Sequence, residues 1–271
     1  MALVTTPALV LQTYRYSETS KVVRLATRDL GVQSAIAKGA LRPRSRFGAG
    51  LELLSEGVAQ LYFRETRDLH TLSAFDVVTL RRELAQDVSR FAGAAALAEL
   101  MLKMAPPAPL PAVYETLTTA LDALAAAPPA LADATALRAM WLLLGVLGFA
   151  PSLTTCVRDG TTVAPDGARP VAFSVGEGGV LCPGCTSVGP AQPPTQLPVE
   201  AYRDLVALND AAAPLPELAA PHAAAHRRLV ARFVRYHLDE AGSLSALDFW
   251  ERRAWGAPVP PNPHPVPSAA S

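Results

Sequence analysis

Catalytic signatures are missing from this chain. It holds no G-x-x-x-x-G-K-[ST] phosphate loop, no G-x-G-x-x-G turn after a strand, no H-E-x-x-H and no G-x-S-x-G. Nucleotide hydrolysis, dinucleotide redox chemistry, zinc proteolysis and serine-elbow hydrolysis therefore lack their usual scaffolds. An H-x-E ahead of the cysteine knuckle is also lacking, which removes the nucleobase-deaminase signature. No enzymatic activity is expected. Cysteine is scarce: Cys156, Cys182 and Cys185 are an odd number, two of them in a C-x-x-C. That usage does not suit the disulfide framework of a secreted protein, and a cytoplasmic, reducing environment is expected. The longest apolar runs, Ala139 to Ala150 and Phe91 to Ala98, fall short of the roughly 20 residues that span a bilayer. The first residues, MALVTTPALVLQTYRY, have no basic stretch followed by a long apolar one, so neither a membrane span nor a signal peptide is expected. Excess charge of either sign is lacking too, with 24 Lys plus Arg against 24 Asp plus Glu.

What is present is a long, well-provisioned chain. Its 271 residues are 50% hydrophobic and 18% charged, enough for one large or two modest domains with a real core. The neutral total conceals an uneven distribution. Residues 1–50 carry Arg15, Lys21, Arg24, Arg28, Lys38, Arg42, Arg44 and Arg46 against Glu18 and Asp29, a basic module balanced by an acidic remainder.

From Ala8 to Leu80 the pattern is β-rich runs separated by turn signals: Ala8–Tyr16, Lys21–Thr27, Val32–Lys38, Leu51–Arg64 and Leu69–Leu80. Arg28-Asp29-Leu30-Gly31 and Glu65-Thr66-Arg67-Asp68 read as hairpin turns, and Gly39 to Gly50 as a longer basic loop. Five strands with one long loop predict a small closed barrel, either an OB-fold or an SH3-like barrel. After Arg81 the chain becomes Ala- and Leu-rich, with helices expected over Arg81–Met104, Ala112–Ala126 and Leu131–Leu147 between proline clusters that stop them. Further helices are expected over Pro198–Ala212, Pro221–Ala241 and Ser245–Arg253. The fold class is thus α+β and multidomain: a barrel over 1–80, a helical domain over 81–150 and 191–255, and an insertion over 151–190. A proline-rich, almost chargeless tail over 256–271 is expected to be disordered.

The insertion is rich in Gly and turn residues and has little apolar material for a core of its own. In Cys182-Pro183-Gly184-Cys185 the Pro and Gly shape a knuckle that lets both thiolates face one metal. The matching position upstream is Cys156-x-x-Asp159. Three readings follow: a closed zinc site of Cys156, Asp159, Cys182 and Cys185, a zinc held by the three cysteines and another ligand, or a metal-free loop in which Asp159 caps a turn. An Asp ligand argues for closure, against a hydrolytic zinc with a bound water. His222 and His226, one turn apart, precede Arg227, Arg228, Arg232 and Arg235 and read as a solvated basic face. The run 223–237 is a second candidate surface for DNA or a protein partner.

Around the barrel the cations alternate with aromatics: Tyr14-Arg15-Tyr16, Lys21, Arg24, then Lys38, Arg42, Arg44, Arg46 and Phe47. Four positive charges within Lys38–Arg46, with no acid until Glu52, repel one another unless an anion is near. Arg15, Lys21, Arg24, Lys38, Arg42, Arg44 and Arg46 are the expected phosphate-binding set. Tyr14, Tyr16 and Phe47 are each expected to pack in the barrel.

The same residues carry a resemblance. Ala8-Leu9-Val10-Leu11, Tyr14 to Lys21, Leu25 to Gly31, Ala37 to Ala40, Arg42 to Gly48 and Leu69-His70-Thr71-Leu72 resemble the RecO family of bacterial DNA-repair proteins. Phe149-Ala150-Pro151 leading to Cys156, and Phe173-Ser174 leading to Cys182-x-x-Cys185, resemble that family's zinc segment. The resemblance implies an N-terminal OB-fold, a helical domain and a zinc-finger-like insertion holding structural Zn2+. It also implies a recombination mediator that binds single- and double-stranded DNA and anneals complementary strands. Such a protein contacts the single-stranded-DNA-binding protein and, with RecR, assists RecA loading. One position departs from the family pattern: Asp159 stands where a second cysteine is usual. The rival reading from another class is a metal-stabilised adaptor that docks an acidic peptide and binds DNA weakly.

Overall fold

Alternating apolar residues and tight turns build five strands: β1 Ala2–Arg15, β2 Lys21–Thr27, β3 Gly31–Ala37, β4 Glu56–Phe63 and β5 Leu69–Thr79. They close into a barrel in the order β1-β2-β3-β5-β4. The β3–β5 pairing is parallel and the others are antiparallel. The computed structural model describes residues 2–48, 50–187, 193–238 and 243–253, so the tail over 256–271 lies outside the described residues. Two strand boundaries differ from expectation. β1 starts at Ala2 because its first half pairs with β4, from Ala2 opposite Phe63 to Leu9 opposite Glu56. β4 starts only at Glu56 because Leu51 is drawn into the barrel interior with Phe47, and Leu54 turns the chain at φ 68°.

The barrel interior is filled by Val10, Val23, Leu25, Ala35, Leu61 and Leu72, with Phe47 and Leu51 packed among them. Strand alternation turns Leu9, Leu11, Ala26 and Val32 the other way, and these join the core of the helical body. That body contains α1 Val88–Met104, α2 Pro111–Ala126 and α3 Ala132–Leu144. Asp87 caps α1 by accepting from the Arg90 N–H. At Gly31, with φ +73°, the chain runs so close to the 108 backbone that an added Cβ would stand 2.3 Å from the Ala108 carbonyl oxygen.

The helical stretch Pro129–Phe149 is long and apolar enough, by length and composition, to cross a membrane, although Asp133 and Arg138 interrupt its apolar residues. Its side chains are used inside the fold. Leu137, Met140, Trp141, Leu143 and Leu144 are buried, and Trp141 meets Phe233 edge-on with centroids 5.2 Å apart.

The insertion forms a small sheet of β6 Val171–Ser174, β7 Gly179–Leu181 and β8 Thr195–Leu197, in the order β7-β6-β8. One face of this sheet, with Phe173 and Val180, enters the core of the helical body, while Ala172 and Leu181 pack with Cys156 and Cys182 on the other. A short helix, α4 Pro183–Thr186, follows β7, and α5 Val199–Leu208, α6 Ala220–His237 and α7 Ser245–Arg252 complete the described chain.

Candidate metal centre and basic barrel face

The four residues anticipated as ligands converge. The sulfurs of Cys156, Cys182 and Cys185 and a carboxylate oxygen of Asp159 all lie within 4.8 Å of one another, the one such group of His, Cys, Asp or Glu among the described residues. A tetrahedral zinc with Zn–S bonds of about 2.3 Å places its ligand atoms roughly 3.8 Å apart, so the donor set fits. Local structure aims each side chain. Cys182 caps α4, where its sulfur accepts from the Cys185 N–H at 3.4 Å. The Cys156 N–H donates to the Thr161 carbonyl at 2.8 Å, closing the turn that carries Asp159.

Asp159 divides its two oxygens between two tasks. Oδ1 accepts from the Thr161 N–H at 3.0 Å, while Oδ2 faces the Cys182 and Cys185 sulfurs at 3.2 and 3.3 Å. Turn capping and metal ligation were alternatives in the sequence. Here one oxygen caps the turn and the other is left facing the cysteine sulfurs, so the two roles are compatible in one carboxylate. The Thr161 N–H, followed by the cysteine thiols, holds the Asp159 carboxyl well below the usual carboxylate range. Burial of Cys156 opposes ionisation, but the backbone N–H groups of Cys182, Arg158 and Asp159 outweigh it and lower that thiol. Desolvation, the neighbouring thiols and Asp159 push Cys185 up to about 12. Without a cation these groups resist ionising together, whereas a divalent metal inverts that balance.

Arg158 supports the cluster from behind. Its Nε and Nη2 donate to the Glu177 carboxylate at 2.6 and 2.8 Å, and its Nη1 donates to the Cys185 carbonyl at 3.0 Å. The fork fixes the knuckle and places a positive charge beside the thiols. Were all four donors to bind one metal, no coordination position would stay open, which suits a structural role.

The second feature is the basic end of the barrel. Arg15 and Lys21 stand directly opposite one another across β1 and β2, and Ala37, one residue before Lys38, is the other neighbour of Lys21. The Leu41 N–H donates to the Thr19 carbonyl at 2.9 Å, which pins the 38–50 loop beside the β1–β2 turn. The loop is then wound into successive turns: Arg42 donates to Gly39, Ser45 to Arg42, Gly48 to Ser45 and Gly50 to Phe47. Lys38, Arg42, Arg44 and Arg46 are exposed. Arg46 lies 5.1 Å from the centre of the Phe47 ring. Arg24, opposite Gln12 and Ser34, faces a groove of about 520 Å³ shared with Leu53, Glu99 and Lys103.

None of the seven anticipated cations forms an ion pair with a described carboxylate, whereas Arg28, Arg81, Arg158, Arg227, Arg235 and Arg253 all do. Like charges facing across a strand pair are destabilising. The Arg15–Lys21 opposition therefore favours an anion at this end.

Two expectations are corrected. Phe47 is buried as expected, but Tyr14 and Tyr16 are 47% and 60% exposed, because strand alternation turns Tyr14 outward. Tyr62, 37% exposed, was not singled out at all, since one tyrosine in an apolar strand gives no signal of its own. The basic helix is also not a solvated face throughout. His226 and Arg227 are buried, Arg227 pairs with Asp133 at 3.0 Å, and Arg235 pairs with Asp248 at 2.6 Å and with Glu251. Arg228 and Arg232 remain on the outside, with Arg232 reaching the Thr195 hydroxyl at 3.3 Å.

The chain is also similar to known proteins. Residues 1–81 match the family described as Recombination protein O N terminal, and residues 85–245 match Recombination protein O C terminal. A protein of Anaeromyxobacter sp. strain K named DNA repair protein RecO is 38% identical over 237 residues, 85% of this chain and 89% of its own length. A protein of the same name from Symbiobacterium thermophilum is 38% identical over 191 residues, 70% of this chain and 74% of its own length.

Proposed function

The chain belongs to the RecO family of DNA-repair proteins, and on that premise we propose that it is a non-enzymatic, cytoplasmic recombination mediator. It binds single- and double-stranded DNA through the basic end of its barrel and anneals complementary strands. With RecR it assists RecA loading on DNA coated by the single-stranded-DNA-binding protein. The barrel is read as an OB-fold, a five-stranded Greek-key barrel that serves nucleic acid elsewhere, and residues 151–190 as a structural zinc module.

The observation that carries this reading is the grouping of Arg15, Lys21, Lys38, Arg42, Arg44 and Arg46 at one end of the barrel, none of them paired with a carboxylate among the described residues. Such cations neutralise phosphates without reading sequence. A surface that neutralises two strands also lowers their mutual repulsion, which is the physical requirement for annealing. The zinc assignment rests on the converged Cys3Asp donor set. When bound, the ion would join the two halves of the insertion at Cys156 and Asp159 on one side and Cys182 and Cys185 on the other.

Fluorescence-anisotropy titration of a short single strand and its duplex at two salt concentrations tests the proposal. Replacing Arg42, Arg44 and Arg46 together with Ala should weaken both substrates whatever their sequence. It should also reduce the salt slope by about 2 on a single strand. Unchanged binding in the triple variant would remove the loop from the site.

A further inference from the structure

We propose that the outer wall of the barrel carries a base-stacking row, with Tyr14 and Tyr62 at its ends, that selects unpaired DNA. The inference rests on the DNA-binding reading above and deepens it.

The row follows from the strand registers. Tyr14 on β1 is opposite Val22, Val22 is opposite Ile36, Ile36 is opposite Thr71, and Thr71 is opposite Tyr62. Directly paired residues project to the same side of a sheet. These five therefore share one outer course, while Val23, Leu25, Ala35 and Leu61 fill the interior. The course continues from Tyr62 to Leu3, back on β1, eleven residues before Tyr14 (14 minus 3). Eleven residues are about 36 Å along a strand, against about 24 Å across five strand spacings. The strands are thus steeply tilted, and a row perpendicular to them climbs one side of the barrel instead of circling it.

The composition of the row suits bases. Tyr14 and Tyr62 are exposed, Ile36 and Thr71 are half-buried, and Val22 beneath them is buried, which gives an apolar floor between two aromatic ends. Across four strand spacings the tyrosines stand about 19 Å apart along the sheet, a span suited to a short run of nucleotides. No residue of the row is charged. Charge flanks it: Arg15 follows Tyr14, Lys21 precedes Val22, and Arg24 lies on the same side one step away along β2. This is the pairing of phosphate-neutralising rim and stacking platform that single strands require. A duplex keeps its bases stacked within itself and offers the row only phosphates. The row therefore contributes to single-strand affinity alone, and its share does not fall with salt, because stacking releases no counterions.

The test uses the full chain with three probes of equal length: oligodeoxythymidylate, an abasic strand with the same phosphates, and a duplex. Wild-type protein should bind oligodeoxythymidylate at least tenfold more tightly than the abasic strand, at low and high salt alike. Joint replacement Tyr14→Leu and Tyr62→Leu, which keeps apolar bulk for folding but removes the aromatic faces, should erase that difference and leave duplex and abasic binding unchanged. Joint replacement with Phe should retain the difference. Equal binding of oligodeoxythymidylate and abasic strand by the wild type overturns the stacking row, as does a loss shared equally by all three probes in the Leu variant. Failure of the wild type to bind any probe overturns the DNA reading itself, and this inference with it.

Discussion

Arg81 Nη2 lies 2.5 Å from Glu56 Oε2, at the seam where the last barrel strand gives way to the helical body. Arg81 Nε reaches Asp122 Oδ1 at 2.6 Å, and the Tyr114 hydroxyl donates to the other Glu56 oxygen at 3.0 Å. Burial alone would lower the Arg81 guanidinium, but its hydrogen bonds to Asp122 and Glu56 prevail and raise it. Burial, followed by the Glu56 charge, pushes the Tyr114 phenol above its usual range. The seam is therefore held by a charge whose side chain is 2% exposed. Arg81→Ala should cost about 2 kcal/mol of stability, less than for a wholly buried pair because Glu56 and Asp122 retain contact with water. A denaturant midpoint equal to that of the wild type would show that the pair contributes nothing.

Metal content offers a second check. Protein purified without chelator should carry one zinc per chain. Asp159→Cys should slow its removal by a chelator, and Asp159→Ala should hasten it at least tenfold. Glu177→Ala, which frees the Arg158 fork without touching a ligand, should weaken retention about tenfold. A metal-free preparation with full thermal stability would rule out the zinc assignment.

Acid should destabilise the fold through His226. This residue is buried, both ring nitrogens lack a hydrogen-bond partner, and it lines a cavity of about 180 Å³ beside His222 and Glu200. Burial, with a smaller effect of His222, lowers its pKa to about 4. The unfolded chain thus takes up a proton near pH 6.5 that the folded protein refuses until about pH 4. Stability is full above pH 6.5 and falls as the pH drops through that window, by on the order of 3 kcal/mol. Asp204, whose Oδ2 is 3.9 Å from His226 Nε2, works in the opposite sense, because burial raises its pKa and protonation relieves it. Urea midpoints at pH 5 and pH 7.5 should differ more for the wild type than for His226→Leu. Identical differences in the two proteins would assign the acid sensitivity elsewhere.

Gly31 makes a fourth case. An alanine there must adopt φ +73° and place its Cβ 2.3 Å from the Ala108 carbonyl oxygen. Backbone has to shift on one side or the other. Gly31→Ala should destabilise by about 2 kcal/mol or more, whereas Gly160→Ala, at φ +73° with open space around it, should cost only the conformational penalty of about 1 kcal/mol. Thermal melts of the two variants compare these effects directly.

Local signals in the sequence carried the five barrel strands, the helix boundaries at proline clusters and the grouping of Cys156, Asp159, Cys182 and Cys185, but not the three short strands of the insertion. Turn residues, alternation and ligand spacing are short-range features, and they survive folding unchanged. Features that depend on distant partners did not show. β1 begins at Ala2 because β4 lies beside it, and nothing in Leu3-Val4-Thr5-Thr6 announces that neighbour. His226 and Arg227 look like solvent-facing polar residues until Asp204 and Asp133 arrive from other helices. Tyr14 reads as core by composition, and only the register with Val22 turns it outward.

The core shared by Leu9, Leu11, Ala26 and Val32 with the helices, and by Phe173 and Val180 with the same helices, has a mechanical consequence. Among the described residues the apolar packing is continuous from barrel to insertion, which resists a swing of one end about the other. Barrel and insertion are thereby held at a fixed bearing to one another, as in a rigid jig instead of beads on a tether.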